Sequence, residues 1–510
     1  MNKKIVKVKE YKVADGDTLD SIAKQAGMTW QELAKFNWGT NAPKEINNFM
    51  RNKVGCRKKA NDGVNYIFTS KDTPGIVYIP EVKELEFASS AEHTIKVKVL
   101  ESKLYPTSKC TIKFRPQDDW KGEFGFDWLR ETDTAIIGDA KYENIVGKYG
   151  ATYATEATAV FTKSLVKFTS LKNNNYEPFQ VHWKKDGKEG AIENKVSWLT
   201  LFPEDQCKDN TKKCEAKLSL QIEIIDDASE VLRIDYNKDF FKLDKTEVTP
   251  KSVGKHKMDL TIKCIKEFSS DEEIKVVNET NSADGNFRET VAGRLMVVKN
   301  DKAHRYKANI VFVKVATKIN TVANIATTAN EQSFLEKYMY QSLATLNLKE
   351  EELDLKTNVK FNTDWTVQKT PTVKAVKNDF SNVLSIHTFL ENEFKKLQPT
   401  YNDWYKIFFF NEAGGNLEGT TYSGLNGAAK DIPSKSVVLY KTHNTATTTH
   451  ELLHAMGLYH SFDNDSAYTF KIGETENIMD YSHQDAYGNK SRISTWKWHW
   501  DKLHQTLLKE

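Results

Sequence analysis

Three histidines of this chain have the spacing that a single metal ion requires, within the segment TTTHELLHAMGLYH that begins at Thr447. His450 and His454 stand four residues apart, so on an α-helix their imidazoles project from one face. Gly457 permits a positive-φ turn out of the helix, which lets His460 return as a third ligand. Three imidazoles at about 2.0–2.1 Å leave a tetrahedral zinc with one position open to water, as in catalytic sites. The spacing therefore predicts one catalytic Zn²⁺ ion.

Glu451 follows the first ligand directly, which places its carboxylate beside a metal-bound water rather than on the metal. A carboxylate there can take a proton from that water and hand it to a departing amine. The predicted chemistry is hydrolysis of a peptide bond in a protein or peptide substrate. The alternatives are histidines that only pack or face water, and a structural metal site in a non-catalytic protein. Glu451 argues against the structural site, because such a site needs no base.

HELLHAMGLYH resembles the HExxHxxGxxH motif of the metzincin zinc peptidases, and a second feature of that family follows it. Met479, in the segment NIMDY, lies 19 residues beyond His460. The resemblance implies that it forms a methionine turn, an apolar floor under the three imidazoles. Tyr481 matches the tyrosine that astacin-like and serralysin-like members bring to the metal, where its hydroxyl can ligate zinc or stabilise an oxyanion. A tyrosine that packs beneath the site is the alternative.

The chain from 319 to 510 has the mixed patterns that an α/β domain requires. Helical periodicity alternates with strand-like runs at 404–410 and 436–440. The segment 494–508 predicts the closing helix that metzincins have. The family's substrate-holding edge strand should precede the active-site helix, and 425–429 is the candidate. Four further histidines are predicted to pack or to face solvent: His443, His483, His499 and His504.

Between residues 81 and 318 the apolar pattern alternates with period two, in segments such as KCTIKFR and KLSLQIEII. Turn-rich segments separate these runs, which predicts half-buried strands in one or two all-β sandwich or barrel modules. The predicted division is a β-rich module, 81–195, and a β-sandwich-like module, 196–318. The segment WKGEFGFDW, 120–128, carries a cluster of aromatic side chains. The pattern favours a core plug, because aromatics usually supply core area, over a docking or ligand surface.

This middle region, with its GEFGFDW-type cluster, is similar to the carrier portions of effectors that contractile, type VI-like secretion machines deliver. The resemblance implies secretion-spike proteins as partners. The start of the chain, MNKKIVKVKEYKV, has lysines but lacks the apolar stretch of 7–15 residues that a signal peptide contains. We therefore expect a protein that is cytoplasmic before export and is secreted or delivered without a classical signal peptide.

The first residues predict a strand, two helices and a closing strand at 76–80. The segment 11–37, YKVADGDTLDSIAKQAGMTWQELAKFN, resembles a LysM domain. The resemblance implies binding of peptidoglycan or chitin-type glycans. Its candidate glycan-binding residues are Asp15, Gly16, Asp17, Thr18 and Asn37. An insertion at 38–75 departs from the family and predicts an extra helix at 43–54. A protein adaptor is the alternative use of this head.

Composition excludes several other classes of protein. The 73 Lys and Arg against 70 Asp and Glu leave a charge of +3, too balanced for a nucleic-acid-binding surface. No apolar run approaches the length of a membrane span. The five cysteines form no CxxC pair and leave at least one thiol free. Cys207 and Cys214 could close a hairpin in an oxidising compartment.

The sequence thus predicts a zinc-dependent endopeptidase, secreted or delivered as a bacterial effector or toxin with a LysM-like targeting module. Two alternatives stay open: a LysM-anchored cell-wall protease or peptidoglycan-peptide hydrolase, and a non-catalytic adaptor with a structural metal site. The predicted fold is multidomain, with a small α/β LysM-like head, all-β middle modules and an α/β metzincin-type catalytic domain. The predicted domains are 1–80, 81–195, 196–318 and 319–510.

Overall fold

The computed structural model describes residues 5–83, 105–151, 159–207, 212–281, 287–328, 330–379 and 385–510. The chain divides into two compact units, Met1–Lys103 and Leu104–Glu510. The predicted boundaries at 195/196 and 318/319 therefore both lie inside the second unit. No helix in the described ranges is long and apolar enough to cross a lipid bilayer.

The first unit is a small α/β module. Its elements are β1 (Ile5–Lys12), α1 (Leu19–Gln25), α2 (Trp30–Trp38), α3 (Pro43–Phe49), a π-helical turn (Met50–Val54) and β2 (Ile76–Lys83). Thr18 and Thr29 each begin a helix with a capping box. Strands β1 and β2 pair antiparallel, and Ile22, Leu33 and Val77 lie in the core. The order strand, helix, helix, strand and the extra helix in the insertion agree with the sequence prediction.

Strands dominate the first half of the second unit. In chain order its elements are β3 (Lys109–Pro116), β4 (Gly125–Asp127), α4 (Tyr142–Ile145), β5 (Val146–Tyr149), β6 (Phe161–Lys163), α5 (Leu165–Asn175), β7 (Pro178–Lys185), β8 (Lys188–Lys195), β9 (Ser197–Thr200), β10 (Glu215–Ile225), β11 (Val231–Asp235), β12 (Phe241–Leu243), β13 (Gly254–Cys264), β14 (Glu272–Asn281) and β15 (Phe287–Val297).

Most of these strands form one β-sandwich. A sheet with the order β12-β13-β10-β3 packs against a sheet with the order β11-β14-β15-β9-β4. Both sheets contribute to one core, which includes Ile112, Leu220 and Leu295. The sheets approach closely at Gly293, where an added Cβ would lie 2.5 Å from the Ile112 carbonyl oxygen. Because β3 pairs with β10 across the predicted 195/196 boundary, the strands form a single sandwich, one of the two predicted arrangements, and the division at 195/196 is wrong.

The aromatic segment 120–128 lies in the core of this sandwich. Its four large side chains are buried: Trp120, Phe124, Phe126 and Trp128. The turn within the segment contacts Gln341, which lies at the end of a later helix. Gln341 Nε2 donates a hydrogen bond to the Gly122 carbonyl at 3.0 Å. The segment is therefore a core plug, and its aromatic side chains offer no docking surface.

The second half of the unit alternates helices with strands. Its elements are β16 (Tyr306–Thr317), β17 (Asn324–Ile325), α6 (Glu331–Gln341), β18 (Ala344–Asp354), α7 (Val359–Asp364), β19 (Thr366–Thr370), β20 (Val373–Lys377), α8 (Ile386–Leu397), β21 (Tyr405–Phe410), β22 (Gly414–Glu418), β23 (Thr421–Leu425), β24 (Gly427–Ala429), β25 (Ser436–Leu439), α9 (Thr445–Ala455), β26 (Thr469–Phe470), α10 (Lys497–His504) and β27 (Leu508–Lys509).

A mixed sheet forms the centre of this half. Strands β18, β16, β21 and β25 run parallel, and β24 pairs antiparallel with β25 at one edge. Alternate side chains of β21 enter two cores, one shared with helices α6 and α9 and the other with α7 and α8. Both faces of the sheet are thus covered by helices. Strand β24 lies within the segment 425–429 that the sequence suggested as an edge strand.

Candidate metal centre

Helix α9 carries the first two predicted ligands and ends where the chain turns back with the third. Asn444 caps the helix by accepting a hydrogen bond from the Thr447 backbone N–H at 2.9 Å. Leu452 and Leu453 are buried and hold the inner face of the helix in the core. The chain leaves the helix at Gly457 with φ of 101°, a conformation that favours glycine. The local sequence therefore produces the helix and the turn that the ligand spacing required.

The Nε2 atoms of the three predicted ligands lie close to one another. His454 Nε2 lies 3.1 Å from His450 Nε2 and 3.1 Å from His460 Nε2. Tetrahedral zinc with bonds of about 2.0–2.1 Å requires nitrogen separations of about 3.3 Å, so the rings need to move only a few tenths of an ångström. Within the described residues this is the one cluster of metal-ligating side chains, and no carboxylate or thiol belongs to it. The donor set fits zinc.

Hydrogen bonds at Nδ1 orient the two helical ligands. His450 Nδ1 lies 3.0 Å from the Ile478 carbonyl oxygen, and His454 Nδ1 lies 2.6 Å from that of Leu458. A carbonyl only accepts, so we assign the proton of each ring to Nδ1, which leaves the Nε2 lone pair for a metal. Burial lowers the pKa of His450 well below its usual value and that of His454 to about 3. Both rings are therefore neutral, as metal ligands must be.

Asp463 orients the third ligand, a role that the motif did not reveal. Its Oδ2 lies 3.0 Å from His460 Nδ1 and accepts from the His460 backbone N–H at 3.2 Å. The side chain is buried, and its Oδ1 has no hydrogen-bond partner in the described ranges. A buried carboxylate on a ligand imidazole fixes the ring and strengthens it as a donor. The only sequence signal was an acidic residue three positions after a ligand.

Glu451 lies beside the three ligands and contacts the edge strand. Its Oε2 accepts a hydrogen bond from the Ala429 backbone N–H of β24 at 2.9 Å. Burial raises the pKa of Glu451 to about 7. A carboxyl with this pKa can both accept and release a proton near neutral pH, as the predicted base must. The contact also places the edge strand next to the site.

Met479 lies in a tight, buried turn. Its backbone N–H donates to Asn477 Oδ1 at 2.9 Å, and its carbonyl accepts from the Ser461 N–H, next to the third ligand, at 3.1 Å. The carboxylate of Asp480 accepts from the backbone N–H groups of Gly473 and Thr475 at 2.8 and 2.9 Å. These bonds tie the turn to the ligand loop on one side and to the preceding loop on the other.

Tyr481 packs against the ligand rings. Its ring centroid lies 4.9 Å from that of His460 and 5.9 Å from that of His450. Burial, and then the charge of Glu451, raise the pKa of the Tyr481 hydroxyl. The residue is therefore protonated at neutral pH and stands close to both the ligands and the base.

Side chains of the β-rich half brace the segment that precedes Met479. Arg130 is fully buried and donates to Asp127 Oδ1 at 2.6 Å and to Glu476 Oε1. Its guanidinium lies 3.5 Å from the centroid of the Trp128 ring. Ser494 Oγ also donates to Glu476 Oε1, at 2.9 Å, and β26 pairs with β5. The supports of the metal centre therefore come from both sides of the predicted 318/319 boundary.

The candidate glycan-binding residues of the first unit lie mostly in the turn between β1 and α1. Asp15 accepts hydrogen bonds from Ser70 N and Oγ at 3.0 and 3.1 Å. Gly16 has φ of 90°, and Asp17 accepts from a backbone N–H three residues earlier at 2.7 Å. Thr18 caps α1. The polar side chains of this turn thus form hydrogen bonds within the module.

Asn37, the fifth candidate, lies near the end of α2 and is bonded to β2. Its Oδ1 accepts from the Tyr78 N–H at 2.7 Å, and its Nδ2 donates to the Tyr78 carbonyl at 2.8 Å. These two bonds fasten the second helix to the closing strand. Asn37 is therefore a structural link in this module, which the sequence alone did not indicate.

Comparison with known proteins identifies one segment. Residues 11–48 match the LysM domain family, which supports a peptidoglycan- or glycan-binding module at this position. No curated protein matches the chain. Among solved structures, it is similar to the crystal structure of the S-layer protein SbsC domains 4 and 5. That similarity has 10% identity and a TM-score of 0.12, and it covers 47% of this chain and 88% of the other. A likeness of this degree carries no argument about fold or function.

Proposed function

We propose that the chain is a zinc-dependent endopeptidase of metzincin type. The observation that carries the proposal is the meeting of three imidazole Nε2 atoms beside the carboxylate of Glu451. No described carboxylate or thiol joins the three rings, so a fourth position on an ion there would be open to water. The buried Met479 after the ligand loop and the edge strand before α9 add support, since the metzincin resemblance implies both.

Each residue of the site has a role in this proposal. His450, His454 and His460 would hold the zinc ion, which when bound polarises a carbonyl and acidifies a water molecule. Glu451 takes the proton of the attacking water and returns it to the departing amine nitrogen. The Tyr481 hydroxyl donates a hydrogen bond to the oxygen on which negative charge develops.

Strand β24 is suited to hold an extended peptide. It forms one edge of the described sheet, and its Ala429 N–H already contacts Glu451. A substrate strand added along such an edge uses main-chain hydrogen bonds, which position the peptide with little dependence on its side chains. The scissile bond would then lie close to the base.

The LysM match favours one biological setting for this activity. A glycan-binding module on the same chain would hold the peptidase on peptidoglycan or a chitin-type polymer, so a wall-associated protease or peptidoglycan-peptide hydrolase is the second candidate. Delivery as an effector, with secretion-spike proteins as partners, rests on the sequence resemblance alone and stays a prediction. The same holds for export without a signal peptide.

Metal content and proteolysis of the full chain test the proposal together. We expect Glu451→Gln to keep about one zinc per chain and to lose roughly 10²- to 10⁴-fold in kcat/KM, because only the base is removed. His454→Ala should lose the metal as well. Glu418→Gln, at an exposed position of β22, is the matched control and should change neither. Cleavage that persists in Glu451→Gln would exclude Glu451 as the base.

A further inference from the structure

Arg492 approaches the metal centre from the methionine turn. Its Nη1 donates to the carbonyl oxygens of Ile478 at 3.2 Å and of Asp480 at 3.3 Å, the residues on either side of Met479. The Ile478 carbonyl is the same acceptor that orients His450. One nitrogen of the guanidinium is therefore fixed to the backbone that supports a ligand.

The rest of the Arg492 guanidinium is unused. Its Nε and Nη2 donate to no described residue. Neither atom belongs to the side-chain nitrogens and oxygens that are buried from solvent without a hydrogen-bond partner. Within the described ranges no carboxylate forms an ion pair with Arg492. In contrast, Arg130 bonds Asp127 and Glu476. Arg492 is therefore a half-buried cation with two donor groups that no described residue accepts, and the charges of Asp480 and Glu451 act on it without forming an ion pair.

The charge of Arg492 acts on the catalytic side chains. Burial raises the pKa of Glu451, and the hydrogen bond from the Ala429 N–H and the positive charge of Arg492 oppose that rise. Burial likewise raises the pKa of Tyr481, and Arg492 opposes it. Because Nη1 bonds the Ile478 carbonyl that also orients His450, and the Asp480 carbonyl that directly precedes Tyr481, the guanidinium lies next to this part of the site. An anion bound to its free donors would lie beside the bond to be cleaved.

We propose that Arg492 binds a carboxylate of the substrate, so that the enzyme selects acidic peptides; this inference rests on the proposed peptidase function. A guanidinium with two free, coplanar donor groups matches the geometry of a carboxylate and binds it in a bidentate manner. Because Nη1 is held by two carbonyls, the fork is already oriented before a substrate arrives. The residue is a substrate-binding group and takes no part in proton transfer.

Peptide libraries with Glu, Gln or Lys at each position around the cleaved bond test this selectivity in the full, zinc-loaded chain. A charged hydrogen bond is worth about 1.5–3 kcal/mol, so we expect a preference of roughly 10- to 100-fold in kcat/KM for Glu over Gln at one position. Arg492→Gln should remove the preference, and Arg492→Glu should reverse it towards Lys. Arg57→Gln, at an exposed position of the first unit, makes the same charge change and should keep the preference.

Binding measurements separate this inference from the proposed activity. The zinc-loaded Glu451→Gln protein, with Arg492 intact, should bind the Glu peptide roughly 10- to 100-fold more tightly than the Gln peptide. Equal affinities would overturn the role of Arg492, even if the wild type cleaves peptides. Tighter binding of the Glu peptide without cleavage by the wild type would support Arg492 and count against the peptidase. Zinc content of the Arg492 variants shows whether a lost preference comes from a lost metal site.

Discussion

The two candidate sites of this protein differ in how their polar side chains are used. In the LysM module, Asp15 forms hydrogen bonds with Ser70, and Asn37 forms hydrogen bonds with Tyr78. In the metal centre, three Nε2 atoms are left facing one another, while the surrounding groups form the bonds that hold them. The family match falls on the first region, and the cluster of three imidazoles falls on the second. The sequence match therefore identifies the LysM fold, in which these polar side chains stabilise the module. In the metal centre, the three Nε2 atoms have no role in stabilising the fold, which indicates a place for a ligand.

The largest expected effect tests whether the bonded network around the metal centre is structural. Arg130→Met leaves Asp127 and Glu476 buried without their cation, so we expect a loss of about 3–5 kcal/mol in the free energy of unfolding. Denaturant unfolding of the full chain, followed by the fluorescence of the buried tryptophans, measures it. Arg233→Met breaks the more exposed pair with Glu279 and should cost about 0–1 kcal/mol. Similar losses for the two variants would show that the buried network is not a brace.

The next effect concerns the ligand that has a charged partner. Asp463→Asn keeps the size of the side chain but removes the negative charge that lies next to His460 Nδ1. We therefore expect zinc affinity to fall by about 10- to 100-fold. Competition with a chelating dye measures the affinity. Asp465→Asn, exposed and two residues away, should leave it unchanged. An unaltered affinity in Asp463→Asn would mean that the imidazole is held by its loop alone.

The third prediction addresses the LysM side of the comparison. Asn37→Ala removes both bonds to Tyr78, so we expect the first unit to lose about 1–2 kcal/mol of stability. Retention on peptidoglycan or chitin should be the same as for the wild type where the unit stays folded. Asn41→Ala, at an exposed position, is the matched control. Weaker glycan retention at unchanged stability would return Asn37 to the list of glycan contacts and erase this difference between the sites.

The smallest effect depends on pH and concerns His443, just before the start of helix α9. The Nε2 of His443 lies 3.3 Å from Glu331 Oε1 on α6. Burial opposes the charged form of His443, but the bonds to Glu331 and to the Tyr440 carbonyl, together with the charge of Glu331, outweigh burial and raise the pKa of His443. A raised pKa gives stability that is complete below the unfolded value of about 6.5 and is lost as pH rises through the folded value.

Glu331→Gln should therefore destabilise the second unit by about 1 kcal/mol near pH 6, and by less at higher pH. Unfolding curves at several pH values measure the difference. Glu336→Gln on the same helix should show no such trend, since within the described residues its carboxylate accepts from Gln332 and from no histidine. A loss of stability in Glu331→Gln that does not change with pH would mean that His443 is neutral in the folded protein.

The sequence was sufficient for features that depend on local spacing. His450 and His454 are four apart on a helix, Gly457 ends it, and the order of elements in residues 11–80 follows from capping and turn residues. These features need no knowledge of distant parts of the chain. They include the closeness of the three candidate metal ligands, because two of the three lie on one helix and the third follows a short turn.

The remaining features depend on contacts between distant segments. Strand β3 pairs with β10 across the predicted boundary at 195/196, since a period-two pattern shows that a strand is half-buried but not which strand it joins. The contacts of Arg492 with Ile478 and of Asp463 with His460 follow from the paths of loops. The hydrogen bonds of Asp15 and Asn37 were hidden for the same reason.

The bond between Arg130 and Glu476 joins residues 346 positions apart. Closing so long a loop is entropically costly, and contacts of this range generally form late in folding. We therefore expect nascent chains to acquire the helix of α9 early and the completed floor of the site only at the final step. An ion bound before that step would have only the two imidazoles of α9 as ligands, and their positions would not yet be fixed. We therefore expect metal binding to coincide with the last step of folding.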